Sequence, residues 1–175
     1  MKKSVMKTEA FNSAVCEAAS GGTSCRTWRG NPWTSVPSAE DAALGAGVES
    51  FTVPALGTGT NAGPVNLDLF RCMKGLAEAR GKIGTAELLV RKGLRRDDGD
   101  VSGDYNSYKY DWTMETGGDA VHCRGNEEGR AMQVTWSAGR FSYTILVRNP
   151  EDLSLSAGLD EETVSFLVQA LRQAE

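Results

Sequence analysis

The 175 residues amount to one domain with a short appendage, and 40% hydrophobic against 24% charged residues is enough to bury a core without disulfide staples. Nineteen Lys and Arg against 23 Asp and Glu leave a net charge of −4, which argues against nucleic acid or anionic lipid as a partner. No run approaches the roughly 18 apolar residues of a membrane span, and mean hydropathy is −0.35.

Lys2-Lys3 open the chain as they would a secretory signal, but Lys7, Glu9 and Asn12 interrupt the apolar stretch that should follow. Ser13-Ala14-Val15 ahead of Cys16 lacks the residues a lipidation site requires, so neither leader nor anchor is expected and the default location is the cytoplasm. Over residues 4–19, Phe11, Ala14, Val15 and Ala18 fall on one helical face until Ser20-Gly21-Gly22 breaks the pattern. Residues 1–26 therefore read as a helical appendage, and 27–175 as a single α+β domain.

Thr27-Trp28-Arg29-Gly30-Asn31-Pro32-Trp33-Thr34 reads as an irregular segment pinned by its tryptophans. Ser38 can cap a short helix over Ala39–Leu44, with Gly45 and Gly47 as stops. Val48–Val53 is strand-like, and the glycines and prolines of Pro54–Asn66 predict a long loop. From there the pattern is β: 65–73, 76–80 (the two either one bent strand or two), 86–92, 108–115, 120–125, 131–137 and 141–148. Met132, Val134 and Trp136 share a face, as do Phe141, Tyr143, Ile145 and Val147. Gly117-Gly118, Gly125–Gly129 and Ser137-Ala138-Gly139 supply hairpin chemistry, so neighbouring strands should be antiparallel. Asp160-Glu161-Glu162 open a terminal helix with Val164, Leu167, Val168 and Leu171 on its apolar face. The expected fold is an antiparallel meander of five to seven strands, with the C-terminal helix packed on one face and short helices at the N-terminus.

Cys16, Cys25, Cys72 and Cys123 form no metal-binding spacing. They are read as buried or idle thiols, with Cys16–Cys25 and Cys72–Cys123 bridges as the alternatives. Asp98, Asp100, Ser102, Gly103 and Asn106 match much of a calcium loop, but Lys109 stands where a bidentate carboxylate is required. The competing reading is a polar hairpin whose Asp and Asn side chains bond their own backbone. His122 points away from Cys123 on the same strand, which removes a Cys–His pair. Glu127-Glu128 and Glu161-Glu162 read as solvated charge, and Gly57-Thr58-Gly59 as a flexible loop rather than a phosphate cradle. Trp33, Trp112, Trp136 and Tyr143 are candidate ligand-binding residues, if the aromatic residues line a pocket rather than fill the core.

Gly30-Asn31-Pro32-Trp33, Val90-Arg91-Lys92, Ser102-Gly103-Asp104-Tyr105-Asn106, Gly125-Asn126 and Thr135-Trp136 with Ser142-Tyr143-Thr144-Ile145 follow one another in a characteristic order. On these residues the chain, from about residue 30 to its end, resembles an uncharacterised family of bacterial proteins found in gut anaerobes, with NPW, IRK and SGDYN motifs. Trp136, Tyr143, Leu159 and the final helix are also similar to domains of unknown function in envelope lipoproteins and at the outer end of anti-sigma-factor proteins. The resemblance implies a place at the cell envelope; it brings no activity and no catalytic residue.

Three functional readings follow. The first is a non-catalytic binding or interaction module with a protein or small-molecule partner, acting through a sheet face, the 54–66 loop or an aromatic pocket. The second is a carrier holding a small apolar ligand between sheet and helix. An enzyme of unrecognised type is the third; one histidine and scattered acids offer it no nucleophile, base and orienter. The sequence is thus read as non-enzymatic, without cofactor or metal.

Overall fold

The computed structural model describes residues 15–19, 22–26, 30–95, 100–149 and 158–172, the first two stretches by backbone alone. The chain divides at Trp33/Thr34 into two compact units. In the first, β1 (Val15–Ala19) pairs antiparallel with β2 (Gly22–Arg26), setting Cys16 opposite Cys25. The helix expected over 4–19 thus gives way to a strand at Val15–Ala19, because Ser20-Gly21 between two short segments is hairpin chemistry and local pairing takes the backbone hydrogen bonds. Residues 4–14 of that expected helix lie outside the described residues.

The second unit begins with β3 (Thr34–Val36) and α1 (Ala39–Ala46). Ser38 caps α1 by accepting a hydrogen bond from the Asp41 amide at 3.1 Å, and Gly47 closes it in the left-handed conformation. Gly45 lies within α1 instead of ending it, and a side chain there would overlap Cys72 Sγ. Next come β4 (Thr58–Thr60), β5 (Gly63–Met73), β6 (Leu76–Ile83), β7 (Ala86–Leu94), β8 (Tyr110–Thr116), β9 (Asp119–Gly125), β10 (Gln133–Ala138), β11 (Phe141–Arg148) and α2 (Glu161–Arg172). Every pairing is antiparallel, in the order β3-β5-β6-β7-β11-β10-β9-β8, with β4 beside β3 on the outer edge of β5. The architecture is α+β: a nine-stranded antiparallel sheet with one short helix and a C-terminal helix.

The seven expected β-segments are all present as β5–β11, the 65–80 region resolving into two strands; β3 and β4 are additional. Three expectations are corrected. The sheet has nine strands rather than five to seven, and it departs from a meander where β7 pairs with β11. Val48–Val53 is irregular and joins no ladder: its backbone turns so that residues three apart reach the same side, which strand alternation does not do. Its Val48 and Phe51 are nonetheless buried in the core. The Pro54–Asn66 loop is shortened, since Thr58–Thr60 and Gly63–Val65 pair as a hairpin.

One face of the sheet carries Val65, Leu67, Ala79, Leu88, Val90, Val134, Trp136, Tyr143 and Ile145, all buried in the same core as both helices. Val164, Leu167, Val168 and Leu171 bury the apolar stripe of α2, each contributing about 1.5–3 kcal/mol by leaving water. Small residues on α1, Ala42, Ala43 and Ala46, seat it closely in this core. The entry to α2 is fixed by Asp160 Oδ1, which accepts from the Thr163 amide at 2.7 Å, and by reciprocal backbone bonds between Ala131 and Leu159. Gly117 and Gly118, both at positive φ, make the two-residue turn between β8 and β9 that other residues resist.

One irregularity decides what reaches the opposite face. The pairing of β5 with β6 shifts between Leu67 and Leu69, so Asp68 is an extra residue in β5. Leu67 stays in the core, whereas Leu69 becomes the partner of Arg80 and is 66% exposed. Gly81, opposite Leu67, permits the close approach: a side chain there would run into the Asn66 carbonyl. Among the described residues no helix is long and apolar enough to cross a membrane.

Candidate functional site

The face of the sheet away from the helices is polar, and a single carboxylate organises it. Alternation places Arg71, Glu78 and Arg91 in one cross-strand row through β5, β6 and β7. The Glu78 side chain is 0% exposed, and the Nε–H groups of Arg71, Arg80 and Arg91 all donate to it, the last at 2.7 Å. Burial alone raises a carboxyl pKa; here the three guanidinium groups outweigh it and hold Glu78 below its ordinary value. Three positive charges against one leave this patch cationic within a chain of net charge −4.

The segment from 100 to 108 crosses this face and is fastened to it. Arg91 Nη1 donates to the carbonyls of Val101 and Ser102. Asp100 Oδ1 accepts from the Ser102 amide at 2.7 Å, and Ser102 Oγ from the Asp104 amide at 3.1 Å. Asp104 is the hub: it accepts from Tyr108 Oη and from both the amide and Nδ2 of Asn106, and lies 3.6 Å from Arg148 Nη2. Burial and the Asp104 carboxylate push the Tyr108 hydroxyl well above its ordinary pKa. Tyr105, between these anchored residues, is 98% exposed.

Beside this strap lies a groove of about 650 Å³, the size range of small-molecule sites. It runs over β5, β6, β7 and β11, with Ser102 and Gly103 at its margin. Register resolves its floor into two rows. Leu69, Arg80, Leu89 and Leu146 are successive partners in one; Asn66, Lys82, Glu87 and Arg148 are successive partners in the next. The lining thus carries four cations, Arg80, Lys82, Arg91 and Arg148, against two acids, Asp68 and Glu87. Lys82 takes part in no ion pair among the described residues. A smaller groove of about 280 Å³ lies between residues 52–58 and α2, with Phe166 on its wall.

The aromatic candidates lie elsewhere. Trp136 and Tyr143 are cross-strand partners on the helix-covered face, stacked with ring centroids 4.9 Å apart. Trp112 packs against the same core half-buried, and none of the three lines the 650 Å³ groove. Trp33 belongs to the first unit, where its amide donates to Asn31 Oδ1. Of the calcium-loop candidates, Asp98 lies outside the described residues. Asp100 Oδ1, Ser102 Oγ and Asn106 Nδ2 take part in hydrogen bonds within the strap itself, and among the described residues no three His, Cys, Asp or Glu side chains cluster as metal ligands.

His122 lies on the polar face, as alternation requires, with Nε2 against Asp111 Oδ1. That hydrogen bond, reinforced by Arg124, holds Asp111 below its ordinary pKa. Cys72 and Cys123 are buried free thiols on β5 and β9, with four strands between them, so the bridge weighed for this pair is absent. Burial and the nearby Glu161 push the Cys123 thiol up to about 12. Iodoacetamide at pH 8 is therefore expected to leave Cys72 and Cys123 unmodified in the native protein and to label both after denaturation; rapid native labelling of Cys123, followed by peptide mass spectrometry, would contradict the placement.

One charged residue on the apolar face escaped the sequence reading. Lys92 is 2% exposed, its Nζ 4.2 Å from the centroid of the Phe141 ring and 5.5 Å from that of Tyr143. The spacing Leu88, Val90, Lys92 was the available signal, since alternation puts all three on one face. The cluster around Glu78 had no comparable signal, because its members come from three strands.

No family model, curated protein or solved structure matches the chain.

Proposed function

We propose that this chain is a non-catalytic binding module, working through the groove on the polar face of its sheet. The observation that carries the reading is the pairing of a groove of ligand size with side chains that bind: guanidinium groups, an ammonium group and leucines. Ser102, Lys82, Asp68 and Glu87 in the lining could in principle carry protons or attack, but no imidazole or thiol in the lining joins them to complete a nucleophile, base and orienter. Arg91, tied to both Glu78 and the strap, keeps the groove margin from needing to reorganise when a ligand arrives. The space between sheet and helices is taken up by the core, Trp136 and Tyr143 included, which turns the carrier reading toward the open face.

Amide shift mapping with a fragment library of carboxylates, amines and neutral compounds tests this. Perturbations are expected to cluster at residues 66–69, 80–91, 102–103 and 146–148, with every fragment recovered unchanged. Hits confined to residues 52–58 and 166–170, or turnover of a fragment, would overturn it.

A further inference from the structure

Resting on that reading, we infer that the groove takes an amphiphile: one anionic head group on an apolar body, the body lying across the strands. The two floor rows differ in chemistry and lie two residues apart, about 7 Å along the strands. The first offers Leu69, Leu89 and Leu146, interrupted only by Arg80. The bulge at Asp68 delivers Leu69 to this row; without the extra residue its side chain would share the core face with Leu67. Leu69 is 66% exposed, Leu89 half-buried and Leu146 buried, so the apolar strip is widest open at β5 and closes toward β11, and a polar sheet face does not otherwise need the exposed leucine.

The neighbouring row sets Lys82 and Arg148 on either side of Glu87. With Arg80 and Arg91 these cations exceed the acids of the lining by two, although the chain as a whole is anionic. Arg91 is committed to Glu78 and the strap, Arg80 gives its Nε–H to Glu78 and Arg148 lies 3.6 Å from Asp104, so Lys82, in no ion pair among the described residues, is the first cation to meet an incoming anion, with the outer edges of the half-exposed Arg80 and Arg148 beside it. From Leu69 on β5 to Leu89 on β7 the accessible strip crosses two strand spacings, roughly 10 Å, before it reaches the buried Leu146, so an extended acyl chain fits it better than a compact ring. Carboxylate and phosphate head groups share the required chemistry, acceptor oxygens carrying negative charge.

Calorimetric titration of the full chain with dodecanoate, dodecyl phosphate, dodecanol, dodecyltrimethylammonium and inorganic phosphate tests this, alongside Lys82→Gln, Lys82→Gln with Arg148→Gln, and Leu89→Ser. Dodecanoate or dodecyl phosphate is expected to bind about tenfold or more tighter than dodecanol or the ammonium amphiphile. Which of the two anions is preferred tells a carboxylate head from a phosphate head. The double variant should lose that advantage and still bind dodecanol, with unchanged circular dichroism; Lys82 and Arg148 are exposed, so neither substitution opens the core. Leu89→Ser should weaken all three straight-chain ligands that bind. Equal binding of dodecanol and dodecanoate would overturn the anionic head while leaving the groove reading intact. Inorganic phosphate binding as tightly as dodecyl phosphate would overturn the apolar body. Failure of every amphiphile, while mapped fragments still bind the groove, would overturn the inference alone; failure of both would remove the reading beneath it as well.

Discussion

Glu78→Gln is expected to cost about 3–5 kcal/mol of folding stability, because a neutral amide leaves Arg71, Arg80 and Arg91 converging without the charge that justifies their partial burial. Urea unfolding at neutral pH measures it directly. Acid titration adds a second readout whose sign follows from the depressed pKa. Between the folded value and the ordinary 4.5, the unfolded chain binds the proton and the folded one does not. Glu78 therefore contributes its full stabilisation above this window and loses it as pH falls through the folded pKa. The variant should show a shallower decline in acid than the parent protein. Identical urea midpoints and identical acid limbs would sink this account of the site. A stable variant with altered ligand binding would instead place Glu78 in recognition, through the Arg80 it holds at the groove.

Trp136→Ala carries a comparable expected loss, about 3–5 kcal/mol, from the cavity left in a filled core. The stack on Tyr143 adds about 0.5–1.5 kcal/mol beyond area. Trp136 Nε1 is buried without a hydrogen-bond partner among the described residues. Phenylalanine at this position relieves that unpaired donor while keeping most of the ring, so Trp136→Phe should lie well between wild type and alanine. Thermal melts followed by near-ultraviolet circular dichroism separate the three. A pocket-lining Trp136 predicts the opposite ordering of effects: little loss of stability and a large loss of ligand affinity.

From residue 65 onward, and at the helix Ser38 caps, the regular elements were legible in the sequence because each rests on local chemistry. Elsewhere ahead of residue 65 the helix expected over 4–19 gives way to a strand at Val15–Ala19, the strand expected at Val48–Val53 is not found, and β3 and β4 went unread. The alternation in 131–148, the Ser38 cap and the apolar stripe of the last helix each point to one structure, and each is found. Register was not legible. Nothing in the sequence singles out Arg71, Glu78, Arg80 and Arg91, and only strand pairing brings the three arginines to one buried carboxylate. The same holds for the groove. A single extra residue at Asp68 transfers Leu69 from one face to the other, and nothing in Leu67-Asp68-Leu69 announces a bulge. The aromatic residues left core and pocket both open for a different reason: alternation placed Trp136 and Tyr143 on apolar faces, which serve either until packing is known, and packing puts them in the core.

The junction of β7 with β11 has a consequence for how the chain reaches this state. Each of the two meanders, β5 to β7 and β8 to β11, is built from neighbours joined by tight turns, whereas the β7–β11 seam matches residues about 50 positions apart. Closing it costs loop entropy that local hairpins do not face. The groove straddles this seam, drawing Leu89 from one half and Leu146 from the other. Neither half contains it alone, so the groove exists only where the β7–β11 seam is joined.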